Sequence, residues 1–199
     1  MDEITLISQA QRGDLDAFNR LVLAYQDCLF NVALRILGDE DLAADATQEA
    51  FLHAFQKIAS FRSGSFRGWL IRIVTNACYD ELRRQKRRPQ TALEPLTSDG
   101  EEVESPAWMN DKGPSPEVSL EQKELEHAIE HCLQALPLPF RLMVVLADIE
   151  GLDYSEIAAS LHIPLGTVKS RLARARLRLR DCLQQFQELL PSAFRHSNK

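Results

Sequence analysis

The amino-acid sequence predicts an all-α protein made of two small helical domains joined by a flexible acidic linker. Apolar residues recur three and four positions apart along most of the chain, and the alternation typical of β-strands is nearly absent. Between residues 89 and 119 the composition changes, because five of the nine prolines and seven acidic residues lie there. A segment of this kind has too little apolar surface to offset its ordering entropy, which predicts a linker.

The composition is that of an ordinary soluble globular protein. Hydrophobic residues make up 45% and charged residues 26%, and no apolar run is long enough to cross a bilayer. The chain begins with the acidic residues Asp2 and Glu3, without the basic and apolar segments of a signal peptide. We therefore expect a cytoplasmic protein with no integral membrane contact of its own.

The cysteines are widely spaced and include no C-x-x-C pair. In a cytoplasmic protein this pattern predicts reduced and mostly buried thiols. The four residues are Cys28, Cys78, Cys132 and Cys182.

The first predicted domain, residues 1–88, contains three long helices. Gly38 ends the first helix, Asp39 or Asp41 caps the second, and Pro89 stops the third. The first helix covers residues 16–37 and the third covers residues 66–88. The second runs from its cap, Asp39 or Asp41, to about residue 58.

The second predicted domain, residues 120–190, is also helical, and residues 191–199 form a tail. A helix from Leu120 is interrupted at Pro137 and Pro139, and a compact apolar helix follows, which ends before Gly151. Two more helices are predicted at residues 154–161 and 164–190, with a tight turn between them.

Charge is arranged in bands along the chain. Residues 61–88 and 164–199 each carry a formal net charge of +6, whereas residues 1–60, 89–119 and 120–163 each carry −6. A local basic patch binds phosphates whatever the charge of the whole protein. The bands therefore indicate two separate contacts with a polyanion, although two solvated basic helices would show the same pattern.

The second basic band follows the pattern of a helix-turn-helix. Asp153 and Glu156 form a capping box for the first helix, and Pro164 suits the start of the second. A helix that carries hydroxyl and guanidinium groups beside further cations is suited to the major groove of DNA. The predicted DNA-binding residues are Thr167, Lys169, Ser170, Arg171, Arg174 and Arg178. A basic helix used only for packing is the alternative.

The first basic band interleaves aromatic and basic residues in a way that suits single-stranded DNA. Aromatic faces stack on unpaired bases while cations follow the backbone, and Asn76 offers a donor and an acceptor to a base edge. Against this, Trp69 and Leu70 fit core positions better, since aromatic residues at helical spacing usually belong to a core. The candidate residues are Phe61, Arg62, Ser63, Gly64, Ser65, Phe66, Asn76, Arg83, Arg84, Arg87 and Arg88.

The helix before this band carries Asp45, Gln48 and Glu49 on one exposed face, since they are three and four positions apart. A solvated face is the simplest interpretation. A di-metal site would need a Glu-x-x-His spacing on more than one helix, whereas Glu49 and His53 are four apart and have no second copy. We therefore predict no enzyme, no catalytic residue, no metal and no cofactor.

Two further features are left open by the sequence. His127 and His131 lie beside Cys132 with a spacing that could suit a metal, but no cluster completes such a site. Trp108 stands alone in the linker, where a docking role and a local self-contact are equally consistent with its position.

Motifs in both domains resemble a known family. The patterns G-D-x-x-A-F-x-x-L from Gly13, D-A-x-Q-E-x-F from Asp45 and F-R-x-G-x-F-x-x-W-L-x-R-I-x-x-N from Phe61 resemble sigma region 2. The patterns Y-S-E-I-A-x-x-L from Tyr154 and P-x-G-T-V-K-S-R-L-x-R-A-R from Pro164 resemble sigma region 4. Their combination, with no other region between them, resembles the extracytoplasmic-function (ECF) subfamily of the sigma-70 family of RNA polymerase sigma factors.

The resemblance implies a role for each set of residues. Asp45, Gln48 and Glu49 would bind the β′ clamp helices of the RNA polymerase core enzyme. Residues 62–66 and Asn76 would capture a flipped base of the melted −10 strand, and Arg83, Arg84 and the basic run after them would hold the adjacent duplex. The C-terminal helix, through Lys169, Ser170, Arg171 and Arg174, would face the −35 element of promoter DNA. The resemblance also implies an anti-sigma factor as a partner.

Two other functions remain open at this point. One is an autonomous helix-turn-helix regulator whose N-terminal domain dimerises or senses a ligand. The other is an interaction protein that mimics a sigma factor and sequesters a regulator. His162 also departs from the glycine that is frequent at this turn of region 4, which predicts mild strain there.

Overall fold

The computed structural model describes residues 2–87 and 116–190, with side chains over residues 2–85 and 123–190. Within these ranges there is no strand, which confirms the all-α prediction. The helices are α1 (Glu3–Gln11), α2 (Leu15–Leu37), α3 (Glu40–Lys57), α4 (Phe66–Arg87), α5 (Pro116–Gln134), α6 (Leu138–Val144), α7 (Tyr154–Leu161) and α8 (Leu165–Leu183). Trp108, Arg88 and the predicted tail lie outside the described residues.

Helices α1 to α4 form the N-terminal domain, and their ends follow the sequence signals. Asp14 accepts a hydrogen bond from Ala17 N–H at 3.0 Å, and Asp39 accepts one from Leu42 N–H at 2.9 Å. Gly38 ends α2 in the left-handed conformation, with φ of +75°. The sequence does not predict α1, which packs against α2 and completes the bundle.

Helices α5 to α8 form the C-terminal domain. Residues 116–119, expected in the linker, belong to α5, and the apolar segment after Pro137 is α6 followed by a π-helical turn at Val145–Ile149. The capping box is present at the start of α7, where Asp153 N–H donates to Glu156 Oε2 at 3.1 Å. His162 then takes φ of +53°, the one positive φ outside glycine among the described residues. Pro164 precedes α8 as its N-cap.

The cysteine prediction was wrong for one pair. Cys132 in α5 and Cys182 near the end of α8 form a disulfide with a Cα–Cα distance of 5.7 Å. Cys28 and Cys78 are free, and burial raises the pKa of Cys78 to about 12. Fifty positions separate the bridged residues, so only the tertiary fold brings them together.

The two domains also contact each other directly. One continuous cluster of buried apolar side chains contains members of both, such as Ile36 of α2 and Leu133 of α5. The sequence predicts each domain but not this contact. No helix among the described residues is both long and apolar enough to cross a membrane.

Candidate nucleic-acid interface

A short loop over residues 61–65, called here the capture loop, forms one wall of a cavity of about 410 Å³. Helix α1 forms the opposite wall, and Gln11 joins the two. Its Nε2 donates hydrogen bonds to the main-chain oxygens of Phe61 at 2.7 Å and Ile58 at 3.2 Å. These bonds fix the start of the loop, so Gln11 is a supporting position that the sequence motifs did not identify.

Aromatic side chains support the capture loop from below. Phe66 is only 3% exposed, and its ring centroid lies 5.3 Å from that of Phe61 and 5.4 Å from that of Trp69. Tyr25 packs on Phe66 at 5.8 Å, and its hydroxyl donates to Glu3. Burial, together with the Glu3 contact, raises the pKa of Tyr25 to about 12. Phe66 therefore holds the loop in shape, while Phe61 and Trp69 remain partly exposed.

The loop itself is small, polar and exposed. Gly64 has φ of +103°, a conformation that side chains strongly disfavour, and a Cβ placed there would meet open space. Ser65 is exposed, and its Oγ accepts a hydrogen bond from Gly68 N–H at 3.0 Å at the start of α4. Arg62 and Ser63 are exposed, so this part of the loop can meet a ligand.

Helix α4 continues the basic surface away from the loop. Asn76 and Arg83 are exposed on the same helix, and Arg83 Nη1 lies 4.0 Å from Asp80 Oδ1. Arg84 contacts Glu49 of α3 at 3.4 Å as well as Glu81 at 3.5 Å. The structure thus brings two predicted sites together. The side chain of Arg87 is not among those described.

Helix α3 presents Asp45, Gln48 and Glu49 toward the outside, as the spacing predicts. Leu52 lies one turn further along and is 64% exposed. It is an apolar neighbour of the polar face formed by these three residues. Leu52 is a position that the sequence analysis missed.

One side of helix α8 is buried, and its basic residues lie on the opposite side. Val168, Leu172 and Ala175 are buried against the rest of the C-terminal domain. The N-terminal half of the helix carries the hydroxyl and cationic groups on the other side. Lys169, Ser170 and Arg174 are exposed there, and Thr167 and Arg171 are partly exposed.

The C-terminal half of α8 is engaged within its own domain. Arg176 Nε donates to Asp148 Oδ2 at 3.0 Å, and the Arg178 guanidinium lies 4.9 Å from the Phe140 ring centroid. Arg178, although predicted to bind DNA, already has this partner. Lys169, Arg171 and Arg174, the cations of α8 for which no such contact is described, lie in its N-terminal half.

No group of three or more potential ligands is arranged to hold a metal ion within the described residues. Cys132 is in the disulfide, and His131 packs on Phe186 with ring centroids 5.8 Å apart. His127 is exposed. The geometry therefore does not join these three residues into one site.

Comparison with known proteins identifies the family. The Sigma-70 region 2 family matches residues 21–88, and the Sigma-70, region 4 family matches residues 126–179. The chain is 39% identical over 169 residues to the ECF RNA polymerase sigma factor SigE of Mycolicibacterium smegmatis, covering 85% of this chain and 62% of that protein. It is 36% identical over 180 residues to the RNA polymerase sigma-H factor of Pseudomonas aeruginosa, covering 90% of this chain and 92% of that protein. The chain belongs to the ECF sigma factors.

The fold of this sigma factor is also similar to that of a solved relative. In the structure of CnrH in complex with the cytosolic domain of CnrY, CnrH is 26% identical to this sigma factor with a TM-score of 0.61. The match covers 92% of this sigma factor and 97% of that chain. The family assignment confirms the resemblance seen in the motifs.

Proposed function

We propose that this sigma factor directs RNA polymerase core enzyme to promoters through two surfaces that recognise different forms of DNA. This proposal rests on the contrast between the two surfaces. The capture loop borders a cavity that suits an unpaired base. Helix α8 has an exposed basic face, which suits the groove of a duplex. In this proposal the N-terminal domain serves the −10 strand, the C-terminal domain from α5 onward serves the −35 element, and the segment between the two domains is the tether.

The acidic face of α3 is the proposed docking surface for the polymerase. Asp45, Gln48 and Glu49 would bind the β′ clamp helices, with Leu52 as an apolar neighbour. RNA synthesis belongs to the polymerase, so the sigma factor contributes no catalytic group. We place its action in the cytoplasm for the same reason.

An anti-sigma protein is the proposed regulator. The structure of the relative CnrH was solved in complex with the cytosolic domain of CnrY. A partner of this kind would bind the sigma factor and compete with polymerase. The chain itself does not identify that partner.

A transcription assay with purified components tests the proposal. The double variant Asp45→Ala, Glu49→Ala should fail to co-elute with core polymerase and should direct no initiation at promoters selected from a random library. Asp41→Ala, an exposed carboxylate in the first turn of the same helix, is the matched control and should behave as the wild type.

Two results would contradict the proposal. One is a wild-type protein that neither binds core polymerase nor starts transcription at any selected promoter. The other is full activity of the double variant together with tight, sequence-specific duplex binding in the absence of polymerase. That second result would favour the autonomous regulator.

A further inference from the structure

The cavity beside the capture loop carries a carboxylate, although a surface for single-stranded DNA should repel one. Glu3, in the first turn of α1, lines this cavity together with Gln11 and the loop. A carboxylate close to phosphates weakens the binding of a polyanion, because like charges repel. The position of Glu3 in the cavity wall is therefore better explained by a contact with a base than by one with the DNA backbone.

Helix α1 presents hydrogen-bond acceptors to the cavity. Glu3, Ile7 and Gln11 follow one another at intervals of four residues, so they lie on one face of α1, and all three line the cavity. This face has an acceptor at each end and an apolar side chain between them. Gln11 Nε2 already donates to the main-chain oxygens of Ile58 and Phe61, which leaves its Oε1, an acceptor, for a ligand. This wall therefore favours a ligand that donates hydrogen bonds.

Tyr25 fixes the position of the Glu3 carboxylate. Its hydroxyl donates to Glu3 Oε1. Burial, together with this contact, raises the pKa of Tyr25 to about 12, so the hydroxyl keeps the proton that it donates at neutral pH. The Tyr25 ring in turn packs on Phe66 at 5.8 Å, below the capture loop. One carboxylate oxygen is thus held by the protein, and this contact orients the other.

The exocyclic amino group of a base is the donor that matches this wall. Cytosine and adenine each carry one, and a carboxylate is the usual acceptor for the cytosine amino group in protein–DNA contacts. Thymine has a carbonyl oxygen where cytosine has the amino group, and a carboxylate repels an oxygen at that place. Because the two pyrimidines are nearly the same size, the shape of the cavity alone would not separate them.

We propose that Glu3 selects the base that enters the capture-loop cavity by accepting a hydrogen bond from its exocyclic amino group, with Tyr25 as the positioning residue that orients the carboxylate. This selection rests on the proposed function, because it requires that an unpaired base enters the cavity. It adds the chemical class of that base, which is one with an amino group. It also assigns the choice to two residues that lie outside the capture loop.

The experiment removes the amino group from the DNA and the carboxylate from the protein. Full-length sigma factor is assembled with core polymerase, and fluorescence anisotropy measures its affinity for single-stranded probes that carry the −10 element of a promoter selected with this holoenzyme. Each position of the element is occupied in turn by cytosine or 2-pyrimidinone, and by adenine or purine. The second base of each pair lacks only the amino group. The ratio of the two affinities within one variant cancels any general effect of charge on DNA binding.

In the wild type, loss of the amino group should weaken binding about tenfold at one position, as expected for a hydrogen bond to a charged group. Glu3→Ala should abolish this difference, and Glu3→Gln, which keeps a neutral acceptor, should reduce it. Tyr25→Phe should also reduce it, since the carboxylate remains but is no longer oriented. Glu40→Ala is the matched control, because it removes an exposed carboxylate from the first turn of α3, and should keep the wild-type ratio.

Equal affinities for both bases of each pair at every position would overturn the selection, as would a folded Glu3→Ala variant that keeps the wild-type ratio. Circular dichroism establishes that each variant is folded. If Glu3→Ala does not fold, Glu3→Gln and Tyr25→Phe decide the question, and wild-type ratios in both would overturn the selection. Failure of the proposed function is a separate result, because the wild-type holoenzyme would then bind none of the probes and start no transcription.

Discussion

The two surfaces proposed to contact DNA are held in place by different interactions. The capture loop depends on a few specific features, chiefly the Gln11 hydrogen bonds and the left-handed glycine at position 64. The basic face of α8 depends on a buried apolar stripe that includes Val168 and Leu172. The loop should therefore be sensitive to single local changes, whereas α8 should keep its shape when individual surface side chains are truncated.

The largest expected effect is on duplex binding by α8. The double variant Arg171→Ala, Arg174→Ala should weaken binding to the −35 element by about 1–3 kcal/mol for each base that the helix can no longer reach. Single-strand binding by the N-terminal domain should not weaken. Fluorescence anisotropy on both probes at one salt concentration measures the difference. Arg180→Ala, on the same helix but paired with Asp181 at 2.9 Å, is the control. Equal decreases in affinity in both variants would indicate a general charge effect.

A second expected effect is that reduction of the Cys132–Cys182 disulfide destabilises mainly the C-terminal domain. A bridge with a sequence separation of 50 contributes about 4 kcal/mol in the chain-entropy model of the unfolded state. Reductant should therefore increase hydrogen exchange in α5 and α8 and leave α2 and α3 much less affected. The variant Cys132→Ser, Cys182→Ser should show no further response to reductant. Unchanged exchange in α5 and α8 would contradict a stabilising bridge.

The smallest expected effect compares two glycines. Gly64→Ala places a side chain at positive φ, which should destabilise the N-terminal domain by about 1–2 kcal/mol and weaken single-strand binding. Gly166→Ala lies in α8 with open space around its Cβ, and should stabilise that helix by up to about 1 kcal/mol. Thermal unfolding of both variants measures whether each substitution lowers or raises the stability of the protein. A Gly64→Ala variant that is as stable as the wild type, or more stable, would contradict the strained loop.

Local sequence signals predicted most helix boundaries. Gly38 and Asp39 act within one or two turns of the residues that they cap, so their effects are visible in the sequence. The capping box at Asp153 is predicted for the same reason. The π-helical turn after α6 is different, because the apolar run there is consistent with an ordinary helix.

Long-range contacts explain what the sequence did not predict. The Cys132–Cys182 bridge, the Gln11 bonds to the capture loop and the Glu150 contact with Arg67 join residues roughly 50 to 80 positions apart. No local pattern marks such partners. Helix α1 also escaped prediction, because it is only nine residues long and is stabilised by packing on α2. The roles of the predicted site residues remain predictions.

In the proposed contact with the −35 element, the partners of Arg176 and Arg178 would limit how much DNA sequence α8 distinguishes. From Thr167 to Arg174 the helix rises by about 10 Å, which equals roughly three base-pair steps. An element of that length recurs throughout any genome. One domain alone therefore provides little discrimination among sites, and a promoter becomes distinctive only when the second element lies at the right spacing.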